Sequence, residues 1–371
     1  MSLLFTPTNV GPYTLAHRVV LAPLTRMRSG PGDVPGDLMV EYYTQRSSPG
    51  GFMIAEATPV SVGGIVYAGA PGIYTDAQEE GWRRVTDAVH ANGATIFLQL
   101  WHGGRQAHPV NMGGKQPIAP SAIRSHEKAI VKNQTGRWVE AEQVMPLALK
   151  IGEIAGVVEE FRQAAERAQR AGFDGVELHA ANGYLPDQFL QDNSNTREDA
   201  YGGPVENRAR FLLEVVEALI SVWGGDRVAV RLAPSGTFGN MADSDPAATF
   251  GYVANVLNRF GLAYLHLIEP RIRGIEDVDP GTPVLAAEQL RKVFNGPIVA
   301  AGGFTAESAE RILSAGHADL VAFGRHFVSN PDLPERLRLG SPLNPYDRST
   351  FYGGDRRGYG DYPAASMEVS R

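Results

Sequence analysis

Within "VELHAANGYLPDQFL" (176–190), an imidazole, an amide and a phenol, His179, Asn182 and Tyr184, fall in quick succession at the end of an apolar run. Such groups donate hydrogen bonds to a substrate oxygen and move protons. A further chemical residue, Arg231, interrupts the apolar run "VAVRLA" (228–233). A guanidinium in that setting needs an anionic or strongly accepting partner, either a structural carboxylate such as Glu177 or a ligand. Two glycine sites, Gly302 and Gly303 in "AAGGFTAE" (300–307) and Gly324 followed by Arg325, have the form of backbone-amide phosphate cradles. Thr305 is placed to cap the helix that follows the first of them.

Other chemistries fall away on residue type. The chain has no cysteine, which excludes disulfides, thiolate nucleophiles, Cys-ligated zinc and iron–sulfur clusters. None of Lys115, Lys128, Lys132, Lys150 and Lys292 ends an apolar run, which disfavours a Schiff-base aldolase. "HEKAI" (126–130) is not H-E-x-x-H, and His102 and His108 have no matching carboxylates. No metal site is expected, and those two histidines read as solvent-facing or lid residues. A net charge of −7 without any basic block interleaved with aromatics speaks against a nucleic-acid partner. No apolar run approaches the ~20 residues of a membrane span, and "MSLLFTPTNVGPY" lacks the pattern of a signal peptide. A cytoplasmic location and no membrane partner are expected.

The elements that must position these residues recur regularly. Apolar runs occur at 18–24, 51–57, 94–100, 175–179, 227–233, 263–268, 297–303 and 318–324, with amphipathic stretches such as 77–93, 154–172, 204–224 and 305–316 between them. Eight strand–helix units predict an α/β fold closed as a (β/α)₈ barrel, in one domain spanning 1–371. The rival, an open doubly wound sheet, lacks G-x-G-x-x-G after any strand-like run. Residues 103–150 are expected to form an insertion after the third strand, with "KAIVKNQTGRWVEAEQV" (128–144) as a hairpin over the barrel mouth. Residues 3–18 are expected to pair as an N-terminal hairpin at the bottom.

In such a barrel, chemistry sits at the carboxyl ends of the strands. That rule collects Pro23, Leu24 and Thr25 at the first strand, Ala57 at the second, Gln99 and Trp101 at the third, and His179 at the fourth. Arg231 follows at the fifth, Gly302 and Gly303 at the seventh, and Gly324 and Arg325 at the eighth. Taken alone, these residues also suit a phosphosugar enzyme, or a flavin or phosphate binder without turnover.

With these residues assembled, the chain resembles the old yellow enzyme family of flavin-dependent ene-reductases, in particular its bacterial N-ethylmaleimide, nitroester and morphinone reductases. The likeness rests on "LAPLTRMR" (21–28), "AEAT" (55–58), "YAGAPGIYT" (67–75), "QLWHGGR" (99–105), "VELHAANGYLPDQFL" (176–190), "NTREDAYGGPVENRARF" (195–211), "VRLAPSGTF" (230–238), "AGGF" (301–304), "VAFGRHFVSNPDLP" (321–334) and "TFYGG" (350–354). The resemblance implies bound FMN, NADPH or NADH as hydride donor, and activated alkenes as substrates. It implies that His179 and Asn182 bind the substrate oxygen, that Tyr184 donates the proton, and that Tyr67, Trp101 and Tyr352 line the substrate side. It assigns Pro23, Leu24, Thr25, Ala57, Gln99 and Arg231 to the flavin ring, and Gly302, Gly303, Gly324 and Arg325 to its phosphate. Nitrate esters or nitroaromatics are the alternative substrates on the same site. Monomer and homodimer are equally compatible with the sequence.

Overall fold

Eight parallel strands close into a barrel in chain order: Val19–Leu21, Phe52–Pro59, Thr95–Trp101, Gly175–Ala180, Val228–Leu232, Tyr264–Ile268, Ile298–Ala301 and Leu320–Phe323, the eighth pairing with the first. The computed structural model describes residues 2–365 apart from 134, 136, 275 and 278–284. Each strand coincides with one of the eight apolar runs, because a strand covered on both faces is apolar at nearly every position. The eight-strand expectation is therefore met.

Alternate residues along each strand face opposite ways. Leu98, Leu178, Val230 and Leu265 point outward, into the main core beneath the surrounding helices. Phe52, Phe97 and Tyr264 belong to a separate cluster inside the lumen, where Phe52 meets Phe97 edge-on at 5.2 Å and Tyr264 at 5.7 Å. These rings fill the lower lumen. The N-terminal hairpin, Thr8–Val10 paired with Tyr13–Leu15, closes it from below, with Tyr13 edge-on to Phe97. Its turn needs Gly11, at φ +52°, since a Cβ there would fall 1.8 Å from the Asp226 carbonyl oxygen.

Three segments build the opposite end. After the third strand, Lys128–Lys132 pairs antiparallel with Trp138–Glu142, the hairpin expected there. After the sixth, a short ribbon, Ile272–Arg273 against Glu276–Asp277, was not foreseen; Arg273 pairs with Glu127 beside the hairpin, and Asp277 with Arg325 at the eighth strand. The third is the C-terminal arm. The fully buried Arg26 donates from Nε to the carbonyl of Phe351 (2.8 Å) and from Nη2 to that of Gly358 (2.7 Å). Arg28 donates to the carbonyls of Asp355 (2.9 Å) and Thr350 (2.8 Å), and its guanidinium lies over the Tyr359 ring.

These bonds make Arg26 the anchor of the arm. Arg26→Met leaves the Gly358 carbonyl without its donor and those of Thr350 and Phe351 with Arg28 alone, at a cost of roughly 1–3 kcal/mol. The expected result is a lowered denaturant midpoint together with protease cleavage within residues 347–360; an arm as resistant as wild type would show that Arg28 and Tyr359 suffice.

Candidate active site

The tightest local geometry is the turn after the fourth strand. Asn182 sits at φ +57°, a left-handed conformation that asparagine tolerates better than most residues, and Gly183 follows at +71°. The fully buried helix Leu185–Leu190 begins at once, with Pro186 in its first turn. Two of its side chains hold the turn from behind. Asp187 accepts from the Gly183 amide (2.8 Å) and from Gln191 Nε2 (2.8 Å). Gln188 donates to the carbonyls of Gly183 (2.7 Å) and Gly103 (3.1 Å) and accepts from the Arg105 amide. Thus the turn is fixed to the root of the inserted segment, and Arg105 continues the chain of contacts to the carbonyl of Gly239 after the fifth strand.

These elements enclose a cavity of about 760 Å³ at the barrel mouth. Pro23, Leu24, Thr25, Ala57, Gln99, Arg231 and Arg325 line it together with Tyr67, His179, Asn182, Tyr184 and Tyr352. Ala57 arrives there through a register shift between the second and third strands at Ala55–Thr58, the kind of bulge that re-aims a side chain. Trp101 does not line the cavity: fully buried, it backs the wall, edge-on to Tyr184 at 4.9 Å and tilted against Tyr67. Gly302, Gly303 and Gly324 also lie outside the lining. Gly303, at φ +63°, has the Asp277 carboxylate 3.4 Å from where a Cβ would stand, and Asp277 also accepts from Arg325 Nη1 (2.7 Å). A carboxylate therefore occupies the region where the sequence suggested a phosphate.

Sequence reasoning missed the lining supplied by Arg26, Met27, Phe238 and Phe351. Arg26, Met27, Phe238 and Phe351 all lie inside motifs already quoted, between the residues that were given roles. His102 and His108 are buried instead of solvent-facing, and each accepts through Nδ1 from an amide two residues on, Gly104 and Val110. Burial pushes His102 down to about 4, so it is neutral there. Among the described residues, no group of three or more His, Cys, Asp or Glu is placed to hold a metal ion.

Electrostatics make the donors uncharged. Burial holds His179 well below the usual imidazole range, and the nearby Arg231 and His266 push it further. Tyr184 is driven well above the ordinary phenol value by burial and by the neighbouring Tyr67. At neutral pH the two rings, 4.9 Å apart edge to face, are a neutral imidazole and a neutral phenol. Arg231 Nε and His179 Nδ1 are buried without a protein partner. Buried N–H groups are seldom left unpaired, so a polar ligand fits here. Arg231 and Gln99 suit an electron-rich heterocycle, and the volume suits a drug-sized ligand.

Asp187 yields a test of the turn. Burial lifts its carboxyl from 3.8 to about 7. A carboxyl whose folded pKa is raised gives stability that is full below the unfolded value and lost as pH rises through the folded one. Asp187→Asn removes that loss while keeping an acceptor for Gly183. Its denaturant midpoint should therefore gain on wild type between pH 3.8 and about 7; an unchanged gap would show that Asp187 does not titrate in this window.

Comparison with known proteins agrees with this geometry. Residues 3–344 match the NADH:flavin oxidoreductase / NADH oxidase family. The 12-oxophytodienoate reductase 2 of Arabidopsis thaliana is 46% identical, over 97% of this chain and 95% of its own. The solved structure of morphinone reductase superposes with a TM-score of 0.94 at 48% identity, covering 100% of this chain and 98% of its own; a second structure of that enzyme contains tetrahydroNAD. An old yellow enzyme homologue from Zymomonas mobilis gives 0.90 at 39% identity, over 97% of this chain and 99% of its own. A barrel with this cavity, a family match along nearly its whole length and such identities mean that the chain belongs to the old yellow enzyme family of flavin oxidoreductases.

Proposed function

We propose that this chain is an FMN-containing, NAD(P)H-dependent reductase of the C=C bond of activated alkenes such as enones, maleimides and nitroalkenes. One observation carries the reading: a single cavity combines a buried guanidinium bearing an unmet N–H with the uncharged donors His179 and Tyr184 and the amide of Asn182. Family membership and the reductase names of the relatives support it. The tetrahydroNAD complex of morphinone reductase supports a nicotinamide donor visiting the same pocket. The reading takes 1–371 as one FMN-binding domain working in the cytoplasm; among the described residues no helix is long and apolar enough to cross a membrane.

Arg231 and Gln99 would hold the pyrimidine side of the flavin, with Pro23, Leu24, Thr25 and Ala57 along the ring. Gly302, Gly303, Gly324 and Arg325 would take the phosphate, in the region where Asp277 now meets Arg325. FMN held there would supply hydride-transfer chemistry between NAD(P)H and the β-carbon of the alkene. His179 and Asn182 donate to the substrate oxygen and draw electron density from the double bond, a form of electrostatic stabilisation available without net charge. Tyr184 gives its proton to the α-carbon as general acid. Tyr67 and Tyr352 shape the substrate side, with Trp101 behind them.

Purified protein supplied with FMN should turn yellow, bleach on anaerobic NADPH and recover colour with cyclohexenone; failure to bind FMN overturns the reading. Tyr184→Phe should bleach normally yet recover about 10²-fold more slowly or worse, whereas wild-type recovery would remove Tyr184 from proton transfer. Because Tyr184 titrates above the ordinary 10.0, wild-type turnover should show no limb from phenol deprotonation up to that pH.

A further inference from the structure

Below the cavity lies a buried carboxylate that the mechanism leaves without a task. Glu177 is fully buried on the fourth strand, two residues before His179 and one layer deeper in the lumen. Its Oε1 accepts from Gln99 Nε2 at 2.6 Å, and its Oε2 from His266 Nδ1 at 2.9 Å. In register, Glu177 faces Gln99 across one strand boundary, and His179, Arg231 and His266 run across the next two. Gln99 and Arg231 line the cavity, whereas Glu177 and His266 lie beneath it.

Three constraints follow. Burial alone would raise the Glu177 carboxyl, but His266, Arg231 and Gln99 together outweigh it and hold Glu177 below the ordinary range, hence ionised. His266 is held down by burial, which with Arg231 outweighs the opposing pull of Glu177; at neutral pH it donates as a neutral ring, and that bond, Arg231 and Gln99 keep Glu177 ionised. An ionised carboxylate only accepts hydrogen bonds, so the end of the Gln99 amide facing it must be the nitrogen. The amide oxygen is then left for the cavity. The floor holds one negative and one positive side chain, Glu177 and Arg231, in a medium where charges act strongly on each other.

We propose that Glu177 is a positioning residue for the flavin: it fixes which end of Gln99 meets the ring and offsets the charge of Arg231, lowering the flavin's reduction potential. The proposal rests on the FMN reading, which yellow colour and NADPH bleaching of wild type test independently. Its distinctive consequence is that the two half-reactions move oppositely. With Glu177 neutralised, Arg231 acts uncompensated and favours added electrons. Hydride uptake from NADPH then gains driving force while delivery to the alkene loses it. Simple disorder of the floor would slow both.

The experiment uses FMN-loaded Glu177→Gln and Glu177→Asp, with the flavin midpoint potential by dye equilibration and both half-reactions by stopped flow. The expected result is a more positive potential for Glu177→Gln, with reduction by NADPH unchanged or faster and reoxidation by cyclohexenone several-fold slower; Glu177→Asp, which keeps the charge, should return the potential towards wild type. An unmoved potential in Glu177→Gln, equal slowing of both steps, or the same shift in Glu177→Asp overturns the proposal. Should Glu177→Gln fail to retain FMN, wild-type holoenzyme labelled with ¹³C-carboxyl glutamate gives a second measurement. A labelled carboxylate band that shifts on flavin reduction supports the proposal, and the absence of any such band overturns it.

Discussion

A guanidinium inside a closed barrel has no bulk water to answer its charge, and much of this molecule is arranged around that fact. Arg231 cannot sit among the rings of Phe52, Phe97 and Tyr264, which make the lower lumen apolar. It stands one layer higher, between the carboxylate network of Glu177 and the cavity. The same alternation that aims Arg231 inward aims Gln99, Glu177, His179 and His266 inward from neighbouring strands. A parallel ladder thus converts spacing along four separate strands into two successive polar layers, with a dry plug below and a ligand cavity above.

The mouth is held by a different kind of interaction. Backbone carbonyls of the C-terminal arm are gathered by Arg26 and Arg28, and those of the turns around the cavity by Arg105 and Gln188. Charge-assisted bonds to carbonyls are strong and tolerant of what the accepting residues carry as side chains. That is how long irregular segments achieve fixed positions without belonging to the sheet. The left-handed pair Asn182–Gly183 depends on such support, since its conformation is costly for an asparagine left to itself.

Legibility in the sequence tracked the range of the forces involved. The eight strands were readable because burial on both faces writes itself as a continuous apolar run, and the hairpin at 128–142 because its strands are adjacent in the chain. His179, Asn182 and Tyr184 were readable as a local cluster, and motif resemblance suggested their roles. Glu177 was readable only as a candidate partner for Arg231, and its bonds to Gln99 and His266, like His266 itself in "AYLHLI", were hidden because the partners lie on other strands. The ribbon at 272–277 is too short for periodicity to register. The burial of His102 and His108 depends on tertiary packing, which residue type alone cannot report. Arg26 drew no reading of its own, as its acceptors are carbonyls more than three hundred residues away and any residue has one.

The hairpin Lys128–Glu142 covers the cavity but takes no part in the barrel's hydrogen-bond ladder. Its residues Lys128, Ile130, Trp138 and Glu140 reach the cavity, whereas Gln99, Glu177, Arg231 and His266 belong to the barrel strands beneath it. The cavity's cover and its floor thus belong to separable parts of the chain. A change of length or sequence in the hairpin would alter the cavity's cover without breaking any bond of the barrel ladder, so the two can vary independently.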